Sequence, residues 1–204
     1  MIDVIDYRAG NAPSVMYALE HLELPARLVS TPDALARSER LVLPGVGSAA
    51  ATMSSLEELD LVDALHERVM TDTLPFLGIC IGLQVLFEHS AEGDVATLGW
   101  LRGRVHRFPE SRRVPQIGWN GVRARRSHPL WLGLPDVAHC YFVNSYYAVP
   151  ANDDDVLGVT DYGDEFCSMV GSGNVAATQF HAEKSGQLGL RILANFARWD
   201  GSPC

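Results

Sequence analysis

Pro75-Phe76-Leu77-Gly78-Ile79-Cys80-Ile81-Gly82 is the stretch that decides the fold. An apolar run of strand length ends at a cysteine set between two glycines, and Leu83, Leu86 and Phe87 then follow as one helical face. The chain therefore passes from a buried strand into a helix with almost no loop. Upstream, Val4-Ile5 and Leu41-Val42-Leu43 read as strands and Ser14 to Leu22 as a helix. Leu56, Leu59, Val62, Leu65 and Val69 mark one face of a further helix. Strands alternating with helical patterns are the signature of βαβ units around a parallel sheet. Downstream, from Gly99 to about Val170, short strands at Val105 to Phe108, Gly118 to Val122, Tyr141 to Val143 and Val156 to Val159 are broken by Gly, Pro and Asp turns. That pattern indicates antiparallel strands. A last strand at Val175 to Phe180 leads to a closing helix, Leu188 to Trp199. The expected fold is α/β: an open, mostly parallel twisted sheet flanked by helices, with an additional antiparallel strand region, in a single domain over residues 1–204.

The chain has 204 residues, 47% of them apolar and 20% charged, as an average water-soluble domain does. The first residues, Met1-Ile2-Asp3-Val4-Ile5-Asp6, are acidic and do not read as a signal peptide. No apolar stretch approaches the ~18 residues of a membrane span. A cytoplasmic protein without membrane contact is expected. A net charge of -9 argues against nucleic acid, whose phosphates are bound by Lys and Arg. Eight arginines between Arg102 and Arg126 are a local exception, read as a solvated strand-rich surface in preference to a docking face for an acidic partner. Cys80, Cys140, Cys167 and Cys204 lack the short paired spacings of a zinc site or disulfide framework, so reduced thiols and no metal are expected. Asp153 to Asp155 read as a solvated turn, because nothing nearby completes a calcium site.

A cysteine on a sharp strand-to-helix turn is held exposed at the carboxyl end of a sheet, and flanking glycines let strand and helix approach. The first N–H groups of the helix then favour a thiolate and can cradle an oxyanion. The competing reading is a small buried cysteine packed between glycines. A nucleophile also needs a base that is itself oriented by a third group. His181 and Glu183 lie two apart after the last strand, where strand alternation puts both side chains on one side. Pro44-Gly45-Val46-Gly47 follows another strand, where glycines let a loop turn its N–H groups toward the same sheet edge. Each signal alone is weak, and their combination carries the argument.

Together these elements make the chain resemble the class I glutamine amidotransferases, a flavodoxin-like family with a Cys-His-Glu triad. Asp6-Tyr7-Arg8-Ala9-Gly10-Asn11, Gln116-Ile117-Gly118-Trp119-Asn120, Tyr141-Phe142-Val143-Asn144-Ser145-Tyr146 and Phe180-His181-Ala182-Glu183-Lys184-Ser185-Gly186 narrow the resemblance to the glutaminase subunits of imidazole glycerol phosphate synthases, in histidine biosynthesis. Arg8 stands where that pattern has glycine, Asn144 where it has histidine and Ala182 where it has proline.

By this resemblance Cys80 attacks the carboxamide of glutamine, His181 moves the protons, and Glu183 orients His181. Val46, Gly47 and Ile81 are implied for the oxyanion hole, and Gly47, Gln84, Glu92, Ser145 and Tyr146 for holding glutamine, Glu92 at its α-ammonium group. No cofactor is implied. The ammonia passes to a separate cyclase subunit, a (β/α)₈ barrel, which makes imidazole glycerol phosphate and an aminoimidazole carboxamide ribonucleotide. Such a barrel needs ~250 residues and has no room in this chain, so a heterodimer follows. Tyr7, Asn11, Trp119, Tyr141 and Lys184 are implied at its interface. Other acceptors, through a pyridoxal phosphate synthase or a sugar amidation, stay open, as does a non-catalytic redox sensor on the same fold.

Overall fold

The computed structural model describes residues 1–8 and 11–202. Ala9, Gly10 and Cys204 lie outside the described residues. The first half builds a parallel sheet. β1 (Ile2–Ile5) leads through α1 (Ala12–His21) to β2 (Ala26–Val29), and α2 (Pro32–Leu35) precedes β3 (Leu41–Leu43). α3 (Ala49–Glu58) and α4 (Leu61–His66) then lead to β4 (Phe76–Ile79), which runs through Cys80 into α5 (Ile81–Gln84). β1 pairs in parallel with β2 and β3, and β3 with β4.

The second half extends the same sheet with β5 (His89–Ser90), β6 (Val95–Ala96), β7 (Gly103–Arg107), β8 (Gln116–Ala124), β9 (Val137–Asn144), β10 (Tyr146–Pro150), β11 (Val156–Asp161), β12 (Glu165–Ser172) and β13 (Val175–Thr178), closed by α6 (Gly186–Arg198). β13 returns to lie parallel to β4, so the last strand of the chain sits beside the strand that carries Cys80. β12 is antiparallel to β13 near its C-terminal end, meets β10 at Cys167, and pairs with β11 along its other edge. β8 bridges β11 and β9.

Strand alternation sorts the apolar residues into two cores, one on each face of the sheet. Leu41, Leu43 and Phe76 pack with Leu56, Leu61 and Leu65 of α3 and α4. Val42, Leu77 and Ile79 pack with Val15 and Leu19 of α1 and Ile192, Leu193 and Phe196 of α6. Because both faces are covered, these strands carry no solvent-facing polar positions.

Three expectations change in detail. The face running from Leu56 to Val69 is not one helix. Asp60 adopts a left-handed conformation between α3 and α4 (φ 56°), and residues Glu67–Thr71 form a π-helical turn. Leu56, Leu65 and Val69 nevertheless stay buried and Leu59 and Val62 pack half-buried against the same core, which is why the periodicity looked continuous. The helix after Cys80 ends at Gln84 because the carbonyls of Val85, Leu86 and Phe87 accept N–H groups from Leu98, Leu101 and Gly99. The last strand stops at Thr178 rather than Phe180. The arginine-rich run occupies exposed or half-exposed positions, with Arg112 paired to Asp164 and Arg123 to Glu165.

Candidate active site

Three strand ends meet at the carboxyl edge of the parallel sheet. Cys80, between β4 and α5, adopts φ 56° and ψ -104°, a conformation that an L residue occupies only under constraint. The constraint is the close approach of α5. A Cβ on Gly78 would stand 2.4 Å from the Gly82 carbonyl oxygen, and one on Gly82 would stand 2.2 Å from that of Leu43. Neither glycine has a substitute, so the two of them lock the turn that presents the thiol.

His181 follows β13. Its N–H donates to the Tyr141 carbonyl at 2.9 Å, and its carbonyl accepts from the Ser185 hydroxyl at 2.6 Å. Nδ1 lies 2.8 Å from Glu183 Oε1, with both side chains almost wholly shielded from water. A carboxylate can only accept, so Nδ1 carries the proton and Nε2 is left for the other side of the ring. The route to this pairing differs from the expected one. Residues Ala182–Lys184 form a 3₁₀ turn, and Glu183 reaches His181 by curling back, not by strand alternation. Ala182 fits that turn, its side chain buried beside α6. Burial alone would lower the His181 pKa, but its contacts with Cys80 and Glu183 outweigh it and hold the value up to about 10. The imidazole therefore keeps its proton at neutral pH.

Cys80 and His181 share a cavity of about 230 Å³. Val46, Gly47 and Ile81 lie on its wall, as do Gln84, Glu92, Ser145 and Tyr146. Every residue expected at the oxyanion hole or the substrate is thus brought together. Ile81 opens α5, so its N–H has no partner within the helix. Gly45 packs so tightly that a Cβ would overlap Ile81 Cγ2 at 1.6 Å, while Gly47 has φ +108° and open space around it. Glu92 Oε2 accepts from Ala49 N–H at 3.1 Å, at the start of α3. Burial raises the Glu92 pKa and this bond opposes the rise.

Of the residues expected at a partner interface, Trp119 and Lys184 are exposed and Tyr141 is half-buried. Trp119 and Tyr141 pack edge to face across the β8–β9 pair, with ring centroids 5.8 Å apart. Ile117 and Val143 pair beside them and are also exposed, and Val143 reaches the cavity. Tyr7 must be corrected. It is fully buried, its hydroxyl 2.7 Å from where a Gly45 Cβ would stand, and burial pushes its pKa up to about 12. Asn11 is half-buried and turned inward, donating to Glu183 Oε1 at 2.9 Å. Arg8 takes φ 68°, the left-handed region in which glycine costs nothing, which explains why glycine suits that position.

The motifs did not single out Gln179, Pro115 or the inward role of Asn11. Gln179 had one visible signal, a polar residue inside the apolar run Val175 to Phe180. Pro115 lines the cavity from the loop before β8, and no spacing rule connects it to Cys80. Among the described residues no cluster of His, Cys, Asp or Glu is suited to a metal ion. Cys140 and Cys167 are buried, their thiols pushed up to about 12 by burial.

Comparison with known proteins agrees with this fold. Residues 3–199 match the family model for glutamine amidotransferase class-I. A protein of Dehalococcoides mccartyi called imidazole glycerol phosphate synthase subunit HisH is 47% identical, covering 96% of each chain. Its counterpart of the same name in Herpetosiphon aurantiacus is 46% identical, covering 96% of this chain and 93% of its own. Among solved structures, a glutamine amidotransferase superposes with a TM-score of 0.77 at 23% identity, covering 97% of both chains, which bears on the fold alone. No helix among the described residues is long and apolar enough to cross a membrane.

Proposed function

The chain belongs to the class-I glutamine amidotransferase family, and from that premise we propose that it is the glutaminase subunit of an imidazole glycerol phosphate synthase, with Cys80, His181 and Glu183 as its triad. The observation that carries the reading is the strained Cys80 facing a cavity shared with a buried, Glu183-bound His181. The Cys80 sulfur adds to the carboxamide carbon of glutamine, and the oxygen gains negative charge. The Ile81 N–H and the Val46–Gly47 peptide stabilise that charge. The C–N bond breaks as His181 gives its proton to the departing ammonia, leaving a glutamyl thioester. Water then adds to the thioester, with His181 accepting a proton, and the C–S bond breaks to yield glutamate and the free cysteine.

Gly47, Gln84, Ser145 and Tyr146 hold the glutamine, with Glu92 near its α-ammonium group. A cyclase subunit, a (β/α)₈ barrel, takes the ammonia before water protonates it. Trp119, Tyr141 and Lys184 meet it, with Ile117 and Val143 extending the apolar face to the cavity mouth. Asn11 acts behind that face, through Glu183. Relatives named as this subunit support the histidine-pathway acceptor over a pyridoxal or sugar acceptor. The chain works as a single domain over 1–204, which one continuous sheet supports, and a role in histidine biosynthesis favours a cytoplasmic location.

The test is glutamate release from glutamine by the chain alone and with the cyclase carrying its ribonucleotide ligand, using Cys80→Ala as control. Stimulation lost in Cys80→Ala supports both chemistry and partner. Turnover indifferent to the cyclase points to another acceptor, and no turnover under any condition removes the glutaminase.

A further inference from the structure

Gln179 is wholly buried between the end of β13 and His181, and its side chain is spent entirely on the site. Its Nε2 donates to Cys80 Sγ at 3.7 Å, and its Oε1 accepts from Gln84 Nε2 at 3.1 Å. Gln84 Nε2 also donates to the Tyr146 carbonyl at 3.1 Å. That carbonyl fixes the direction of the whole chain of bonds. A backbone oxygen can only accept, so Gln84 must turn its NH₂ toward it, and the same NH₂ then meets Gln179 Oε1. Gln179 has no choice but to present N–H to the sulfur.

An N–H donor favours the charged sulfur over the neutral thiol, which needs an acceptor for its own proton. The thiol's alternative acceptor is the Val143 carbonyl at 3.9 Å, a long contact. We infer that Gln179 is a further catalytic residue of this site, its amide N–H holding the Cys80 sulfur in the thiolate form and aimed into the cavity. The role rests on the glutaminase reading for its consequence, and on geometry for its existence. His181 and Gln179 then divide the activation of the nucleophile between them. His181 holds the proton that the thiol has given up, and Gln179 stabilises the sulfur left behind. Their backbones share the segment that leaves β13, so both are aimed by one strand end.

The experiment is the pH dependence of Cys80 alkylation by iodoacetamide in the full chain, read by peptide mass spectrometry, for wild type, Gln179→Met and Gln179→Glu. Met keeps the volume and removes the donor; Glu replaces the donor with a negative charge. Losing one charge-assisted bond slows alkylation near neutral pH about tenfold in Gln179→Met, and more in Gln179→Glu, and moves the profile to higher pH. With the cyclase bound, kcat falls in step while KM moves little, because Gln84 keeps its bond to Tyr146. A wild-type profile in folded Gln179→Met overturns the role. Should either variant fail to fold, the unaltered chain still decides: the ¹⁵N side-chain amide resonance of Gln179 shifts with the alkylation profile and stops doing so in Cys80→Ala. A resonance blind to Cys80 overturns the role. Alkylation and amide shifts that track each other without any glutamate release would support the sulfur contact while overturning the glutaminase reading.

Discussion

Asn11 Nδ2 and His181 Nδ1 both meet Glu183 Oε1, at 2.9 and 2.8 Å, although Asn11 and Glu183 lie 172 residues apart. One oxygen with two donors is held in place twice, and the second donor comes from the segment entering α1. Asn11 Oδ1 in turn accepts from the Ser14 hydroxyl at 2.7 Å, which fixes which face of the amide turns to Glu183. Asn11→Ala frees the carboxylate. A lost hydrogen bond to a charged group corresponds to about a tenfold to hundredfold fall in kcat, with KM for glutamine little changed. Steady-state kinetics with the cyclase bound checks it; an unaltered kcat means that His181 alone positions Glu183.

The elevated His181 pKa carries a stability signature. The folded chain holds the imidazole proton more tightly than the unfolded chain, whose histidine titrates near 6.5. The resulting stabilisation is complete below that pH and fades as the pH climbs toward about 10. The melting temperature of wild type minus that of His181→Asn should therefore shrink between about pH 6 and about pH 10, by about 2–4 °C per kcal/mol lost. Calorimetry across that range measures the difference, and a gap that widens with pH contradicts the charged imidazole.

Two glycines in the site should respond oppositely. A Cβ on Gly82 meets the Leu43 backbone oxygen at 2.2 Å, whereas one on Gly47 meets nothing within 4 Å. Gly82→Ala forces α5 off β3 and should cost about 1–3 kcal/mol or more, seen as a lowered melting temperature. Gly47→Ala meets no obstacle, but its φ of +108° is unfavourable for alanine, so the exposed loop shifts instead. If the Val46–Gly47 peptide serves the oxyanion, kcat drops by about 10²–10³ while stability changes less than in Gly82→Ala. Thermal melts and kinetics on the pair of variants separate the two effects.

Trp119 is 54% exposed and packs edge to face on Tyr141 across the β8–β9 pair. Truncating a surface side chain changes folding stability by about 0.5 kcal/mol or less, whereas removing an aromatic anchor from an interface costs about 2 kcal/mol or more. Trp119→Ala should leave the melting temperature unchanged and weaken cyclase binding by about thirtyfold, measured by titration calorimetry. Undiminished affinity would move the interface elsewhere.

The order of residues along the chain was enough to dictate the βαβ alternation and the strand-to-helix turn at Cys80, and to single out His181 and Glu183 as candidate partners. Each of these rests on neighbours in the chain: apolar runs that need two covered faces, glycines at fixed offsets, two functional residues two positions apart. What depends on distant segments meeting became legible in three dimensions alone. Tyr7, implied at the partner interface by its motif, is buried, its hydroxyl set against the Pro44-to-Gly47 loop. The helix after Cys80 stops at Gln84, where a loop more than ten residues further on captures the carbonyls of Val85, Leu86 and Phe87. Glu183 reaches His181 through a 3₁₀ turn that strand periodicity could not foresee. Gln179 is a polar interruption in a strand until β4 and β13 lie side by side and put its amide on the Cys80 sulfur. Local pattern fixes which face a residue turns inward; what waits on the other side is set by strand order, which no local spacing encodes.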